Sequence, residues 1–280
     1  MRKYLGWGAR LTACLVFVWC ASGTAWATYA TDFEAPTFSA SADGVVLSGQ
    51  DGWYLPAGVD MLAYTYTDNV LGIPQNPQGG DQFVAGTGPG SPDFARGQRD
   101  EMLGEGVWTF TYDMAAHYPG PAPGGNNIGS FSLQPSTTSA SFIHLFSWVD
   151  LADPTSFNAY YLGYDAGGTQ FAQPGASPGP EWAGLSLDHW YRFSTTVDFD
   201  ANMITEVSFE DLTSGDTASF SPLDWYLGGG ATPAEAPTAY RFFNGGTVPD
   251  NTIGWDNFSV IPEPATVVGL LLVGLLLRRR

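Results

Sequence analysis

Thiol chemistry is missing from most of this chain. Of its 280 residues only Cys14 and Cys20 are cysteines, and both lie within the first 27. From residue 28 onward disulfides, thiolate metal sites and cysteine nucleophiles are excluded, so stability there has to come from a core. Positive charge is nearly as scarce. Between residues 28 and 261 the basic side chains other than histidine are Arg96, Arg99, Arg192 and Arg241, set against 27 acids for a formal charge of −23. A field of that sign repels phosphate backbones and anionic headgroups, which argues against nucleic acid as a partner. The excess of acid serves solubility outside the cell or the binding of cations. Long apolar runs are confined to the two ends, and no stretch between them carries a helical period.

What remains is aromatic, rich in turns and alternating. Glycine and proline make up 55 of 280 residues, below the ~25–30% of low-complexity disordered chains, and the 15% aromatic content also argues for a fold. In "WYRFSTTVDFD", Tyr191, Phe193, Thr195, Val197 and Phe199 share one face while Arg192, Ser194, Thr196 and Asp198 share the other. After Asp200-Ala201-Asn202 the pattern resumes with Met203, Thr205, Val207 and Phe209 expected inward and Glu206, Ser208 and Glu210 outward. This is an antiparallel hairpin. Further strands are expected at 44–48, 61–67, 106–114, 129–134, 141–149, 158–165, 240–245 and 254–260, separated by Gly/Pro loops such as "GTGPGSPD", "YPGPAPGGNNIG" and "QPGASPGPE". A dozen or so short strands with such turns predict an all-β, two-sheet antiparallel sandwich of jelly-roll type.

The ends read as addresses. Arg2, Lys3 and Arg10 precede the apolar "LTACLVFVWCA", and "SGTAWA" follows, with Ala25 and Ala27 in the small-x-small pattern of a leader peptidase site. A signal peptide is therefore expected over 1–27, the sandwich over 28–260 and a separate tail over 261–280. "LTAC" is not read as a lipoprotein acylation box, because it precedes the apolar segment instead of following it. At the other end the 13 residues Ala265 to Leu277 span about 20 Å as a helix, short of the ~30 Å hydrocarbon core. Pro262, Glu263 and Pro264, this short apolar helix and the terminal Arg278, Arg279 and Arg280 together resemble the tripartite PEP-CTERM sorting signal of Gram-negative bacteria. The resemblance implies a membrane-embedded, exosortase-type processing enzyme as partner and transient inner-membrane anchoring through the tail. It also implies release to the cell surface or an exopolysaccharide matrix.

A second resemblance concerns the fold. "TDFEAPTFSA", "LSGQDGWYLPAG" and the closing "IGWDNFSV" resemble the first and last strands of concanavalin-like and carbohydrate-binding jelly rolls. It implies that those strands lie side by side and that Glu34 and Asp256 there are candidate ligands of a structural calcium ion, alongside backbone carbonyls. Asp198, Asp200 and Asn202 open like an EF-hand loop, but Met203 stands at loop position six and Phe209 at position twelve, so that site is rejected. Glu206 and Glu210, opposite Asp198 and Asp200, are the nearest approach to a glycosidase carboxyl pair, and they also suit a solvated strand face. His117, His144 and His189 are scattered, with His144 expected to be half-buried and structural. Of seven tryptophans after residue 27, Trp182 in its Gly/Pro loop and Trp225 in "LDWYLGGG" are the candidate sugar-stacking platforms. The expected role is structural or adhesive and non-enzymatic, with a carbohydrate-binding module or a glycoside hydrolase as the competing classes.

Overall fold

A computed structural model describes residues 29–87, 94–101, 103, 105–118, 127–135, 140–149, 155–172, 175–233, 236–245 and 251–263. The leader with Ala25 and Ala27, Pro264, the expected C-terminal helix and Arg278 to Arg280 lie outside the described residues. Among the described residues no helix is long and apolar enough to cross a membrane.

Where side chains alternate, strands form. In chain order they are β1 (Tyr29–Thr31), β2 (Val45–Val46), β3 (Trp53–Tyr54), β4 (Val59–Asp60), β5 (Leu62–Thr65) and β6 (Gln82–Thr87). Then follow β7 (Ala95–Asp100), β8 (Val107–His117), β9 (Asn127–Gln134), β10 (Phe142–Trp148), β11 (Ser156–Leu162) and β12 (Leu185–Ser186). The last are β13 (Trp190–Asp198), β14 (Met203–Asp211), β15 (Thr217–Phe220), β16 (Ala239–Asn244) and β17 (Thr252–Pro262). Sheet I runs β15-β14-β13-β8-β17-β6-β5-β2 with β1 also on β17, and sheet II runs β12-β11-β10-β9-β16-β7-β3 with β4 also on β7. The β4–β7 pair is parallel and the others are antiparallel. This is the jelly-roll sandwich that the alternation predicts. First and last strands are indeed neighbours, Tyr29 facing Val260 and Thr31 facing Phe258.

The inner faces meet through aromatic rings. Trp53 stacks on Phe242 at 5.2 Å, and Phe242 stacks on Trp255 at 4.5 Å with only 14° between planes, which joins β3 and β16 of sheet II to β17 of sheet I. Such pairs contribute about 0.5–1.5 kcal/mol each beyond their buried area. In a domain without disulfides these contacts carry the cohesion between sheets.

Two features depart from the sequence pattern. The hairpin of β13 and β14 forms, and Tyr191, Phe193, Thr195 and Val197 point inward as expected. On the return strand, however, Ile204 continues the buried row in place of Met203 and Thr205. Thr196 faces Glu206 and Val197 faces Ile204, so Thr205 is the extra residue of a β-bulge that shifts the phase by one. The second departure is β7, "ARGQRD", a strand that the pattern does not reveal. Its inward positions include Ala95 and Gly97, too small to mark a period. A Cβ on Gly97 would lie 2.9 Å from Leu47 and 3.5 Å from the Trp53 ring, so the missing side chain is what admits that indole.

Sheet I also carries a small apolar cluster on its outer side. Tyr66 and Ile73, from the segment between β5 and β6, pack against Phe83, Ala85, Ala115 and Trp190, all alternating with core residues on their strands. Trp190 Nε1 donates to the Pro74 carbonyl at 2.8 Å. This cover encloses the polar corner described below.

Candidate binding site

Sheet II turns a mixed polar and aromatic face away from the core. Strand register sets Tyr54, Gln98, Arg241, Ser132, Ile143 and Leu162 in one row, and Arg96, Phe243, Ser130, Leu145 and Tyr160 in the next. They face outward because their chain neighbours Trp53, Gly97, Phe242, Phe131, His144 and Tyr161 point inward. At ~4.8 Å per strand step the five steps of the first row span about 24 Å and the four of the second about 19 Å, the scale of an oligomer and not of a single small molecule. The face is sheltered: Gln98 is 8% exposed, Ser132 3% and Gln134 7%.

A hydrogen-bond chain holds one end of this face rigid. Arg241 Nε donates to Gln98 Oε1 at 2.8 Å, Gln98 Nε2 donates to the Tyr54 hydroxyl, and Tyr54 donates to Asp100 Oδ1 at 2.7 Å. Arg96 lies 5.2 Å from both the Phe94 and Phe243 rings and donates through Nη1 to the Ala57 carbonyl at 2.9 Å. Burial pulls both guanidinium groups below the ordinary arginine pKa, and at Arg241 the charge of Arg96 adds to the effect. Among the described residues neither forms an ion pair, although Asp60 stands in register with Arg96.

The outer side of sheet I has a different corner. Asp256, Asp113, Arg192, Glu210 and Thr217 follow one another across five strands. Arg192 grips Asp113 bidentately at 2.7 and 2.9 Å. Asn76 and Asn257 also donate to Asp113 Oδ2, at 2.9 and 2.8 Å. Asp256 is 1% exposed and accepts from the Tyr66 hydroxyl, the Asn257 amide N–H and the Asn76 side chain. Burial, with the Asp113 charge beside it, pushes the Asp256 carboxyl up to about 8 against those hydrogen bonds. Outside the Arg192 pair, a hollow of about 360 Å³ is bordered by Ser194, Ser208, Glu210, Thr217 and Ser219.

The expected site residues fall out as follows. Glu34 Oε1 accepts the backbone N–H groups of Asp81 and Gln82 at 2.6 and 2.8 Å, tying the N-terminal segment to the start of β6. Asp256 lies in β17 at a bulge. Glu34 Oε1 and both carboxyl oxygens of Asp256 thus already meet N–H or O–H donors. Among the described residues no group of three or more His, Cys, Asp or Glu side chains is placed to hold a metal. Glu206 and Glu210 are exposed on β14, whereas Asp198 and Asp200 accept the backbone N–H groups of Ala201 and Gly106 at the hairpin end, so the four acids do not face one another across a cleft.

Trp182 is a correction. The 3₁₀ turn Pro180–Trp182 tucks its indole between the sheets, 1% exposed and edge-on to Phe209 at 4.8 Å. Its neighbours Glu181 and Ala183 stay exposed, so no alternation announces the burial. Trp225 is half-buried, 5.4 Å from both Tyr161 and Phe220. Trp182 is therefore not a free platform, whereas Trp225 stays partly exposed. His144 is fully buried, not half-buried; its Nδ1 meets the Tyr112 hydroxyl, and burial drives its pKa well below the usual histidine value. At the C-terminal end Pro262 still pairs with Trp108, the Glu263 N–H donates to the Val107 carbonyl at 2.7 Å, and Thr109 Oγ1 donates to Glu263 Oε1 at 2.9 Å.

Solved structures share this architecture. A carbohydrate esterase from the Shiga toxin-encoding bacteriophage phi24B superposes with a TM-score of 0.51 at 12% identity, covering 85% of this chain and 99% of its own. The CBM2 module of the evolved Dit of Lactobacillus casei BL23 phage J-1 gives 0.46 at 12% identity over 85% of this chain and 96% of that one. The cellulose-induced protein Cip1 gives 0.43 at 10% identity over 84% and 97%. At 12% identity the likeness to the esterase shows the fold alone. No protein-family model and no curated protein matches the chain. The residues on the outer face of sheet II were missed by sequence reasoning, because β7 hid among loop-like residues and β9 offered only serines between its core side chains.

Proposed function

We propose that this is an exported, non-catalytic polysaccharide-binding protein that adheres to sugar chains through the outer face of sheet II. The observation that carries the reading is the outer face of sheet II, where the partly exposed Arg241, Tyr54 and Tyr160 stand beside a buried, hydrogen-bonded row that includes Gln98, Ser132 and Gln134. Amides, guanidinium and hydroxyls match the donors and acceptors of a sugar, and partly buried rings accept its C–H faces. Affinity electrophoresis of the purified protein through gels containing a panel of polysaccharides tests it. At least one polymer should retard the protein, and Gln98→Ala should weaken that binding about tenfold, because it strips a partner from both Arg241 and Tyr54. Failure to bind any polysaccharide, or release of reducing sugar from one, removes the reading.

The ends supply the route. The leader pattern with Ala25 and Ala27 supports export across the inner membrane, and the tail from Pro262 supports transient anchoring, processing by an exosortase-type enzyme and delivery to the cell surface or matrix. Replacing Pro262, Glu263 and Pro264 with alanines should leave the protein membrane-retained with its tail attached. Intact mass of the released wild-type protein decides the matter: a mass that includes residues 265 to 280 means a plain tail anchor.

A further inference from the structure

The polysaccharide reading leaves open what kind of sugar the face selects, and the arginines bear on that. Of the four arginines between residues 28 and 261, Arg99 is paired with Glu101 at 2.7 Å and Arg192 with Asp113 at 2.7 Å. Arg96 and Arg241 have no such partner among the described residues, in a segment holding 27 acids. The two are also diagonal neighbours, since Arg241 faces Gln98 and Arg96 faces Phe243 on adjacent strands. Like charges at that spacing on a half-buried face repel, and each has lost water without gaining a counter-charge. Fold stability does not account for that arrangement.

The groups are instead held ready. Arg241 is fixed through Nε by Gln98 and among the described residues its two terminal nitrogens form no hydrogen bond, and Arg96 is stacked against Phe94 and Phe243. The nearest acids in the register are Asp60 and Asp100, and Asp100 is engaged by Tyr54. A guanidinium presents paired N–H groups at the spacing of carboxylate oxygens. We infer that Arg96 and Arg241 form the acid-recognising end of the sheet II face, and that its ligand is a polysaccharide bearing carboxylated sugars. This rests on the polysaccharide reading above. The surrounding charge of −23 repels dense polyanions, and at physiological salt that repulsion fades over a Debye length of about 8 Å. A polymer with at most one carboxylate per ring can meet the arginines at contact range, whereas a heavily sulfated one brings far more charge into the repulsive field.

The experiment uses the purified protein at physiological salt with polygalacturonate, alginate and hyaluronate, each beside its carboxyl-reduced counterpart, and with dextran sulfate. Titration calorimetry should show at least one uronate polymer binding tenfold or more tightly than its reduced form. Arg241→Gln should bring the affinities for the acid and reduced polymers to within about twofold of each other, and Arg241→Lys should not restore the difference. Because carboxyl reduction alters only the ligand, the comparison holds even if an arginine variant folds poorly. Equal binding of acid and reduced polymers, or binding of neutral polysaccharides alone, overturns the carboxylate assignment and leaves polysaccharide binding standing. Dextran sulfate binding as tightly as any uronate overturns it in favour of a nonselective basic patch. No binding anywhere in the wider panel removes both readings.

Discussion

Trp182→Ala should lower the unfolding free energy by about 3–5 kcal/mol and leave the polysaccharide affinity of the folded protein unchanged. Trp182 touches both sheets: its ring lies 5.6 Å from Tyr161 on β11, 6.1 Å from Phe193 on β13 and 4.8 Å from Phe209 on β14. Truncation leaves a cavity where the two sheets meet, and the Gly/Pro-flanked turn that carries the residue contributes no second large side chain to fill it. For a domain of this size roughly 2–4 °C is lost per kcal/mol, so the melting midpoint should fall by about 10 °C. Trp225→Ala, on a half-buried ring, should cost clearly less. Thermal melts together with calorimetric titration check both halves. A Trp182→Ala protein that melts like the wild type but no longer binds sugar would restore the indole to the binding site.

The second large effect is a stability profile that declines on the alkaline side of neutrality. Asp256 holds its proton up to a pH of about 8 in the folded state, whereas an unfolded aspartate releases it near 3.9. Between those values the folded state binds the extra proton, so stability falls by about 1.4 kcal/mol per pH unit as pH rises. His144 works in the opposite sense. Its burial keeps the folded imidazole neutral well below the usual value, so under pH ~6.5 only the unfolded chain gains a proton and stability falls with falling pH. The two slopes oppose each other below about 6.5, and Asp256 acts alone from there to about 8. A plateau on the acid side and a loss of about 2 kcal/mol from pH 6.5 to 8 are expected in urea titrations. The groups facing Asp256 do not blur this window: Arg192 is bound to Asp113, and burial beside Asp256 pushes the Tyr66 phenol far up. Asp211, whose pKa is lowered despite its burial by hydrogen bonds from His189, Thr213 and Ser214, acts only at lower pH. Asp256→Asn should abolish the alkaline decline and expose the His144 slope on the acid side. A wild type that gains stability from 6.5 to 8, or a variant with the same decline, would sink the assignment.

Much of the architecture was legible because period two survives wherever both faces of a strand carry distinctive side chains, as along Tyr191 to Asp198 or Val107 to Met114. It failed where one face carried nothing. In β7 the core side is partly Ala95 and Gly97, so no period marked the strand, and the outer face of sheet II went unread with it. The phase of β14 was misread at Met203 because a bulge is set by backbone geometry and leaves the composition unchanged. The tryptophans show the converse limit: a large apolar residue in a Gly/Pro loop looks available, yet one turn of 3₁₀ helix suffices to bury it. Glu34 and Asp256 were correctly placed on neighbouring segments, but no spacing rule could foresee that Tyr66, Asn76 and the amides of Asp81 and Gln82 would claim their oxygens.

The position of β17 bears on how the protein would carry a mechanical load. It runs through the interior of sheet I, paired with β8 along one side and with β6 and β1 along the other, and Glu263 is still bonded to β8 where the strand ends. If the chain is tethered through its tail and holds a polymer at Arg241 on β16 as proposed, drag on that polymer enters there. It passes to the adjacent Phe242, across the stack to Trp255, and so into β17. A pull along that strand shears its hydrogen bonds together instead of peeling them one by one, and no slack joins the last described residue to the sheet. The strand that leads to the tether is thereby the one best placed to resist extraction.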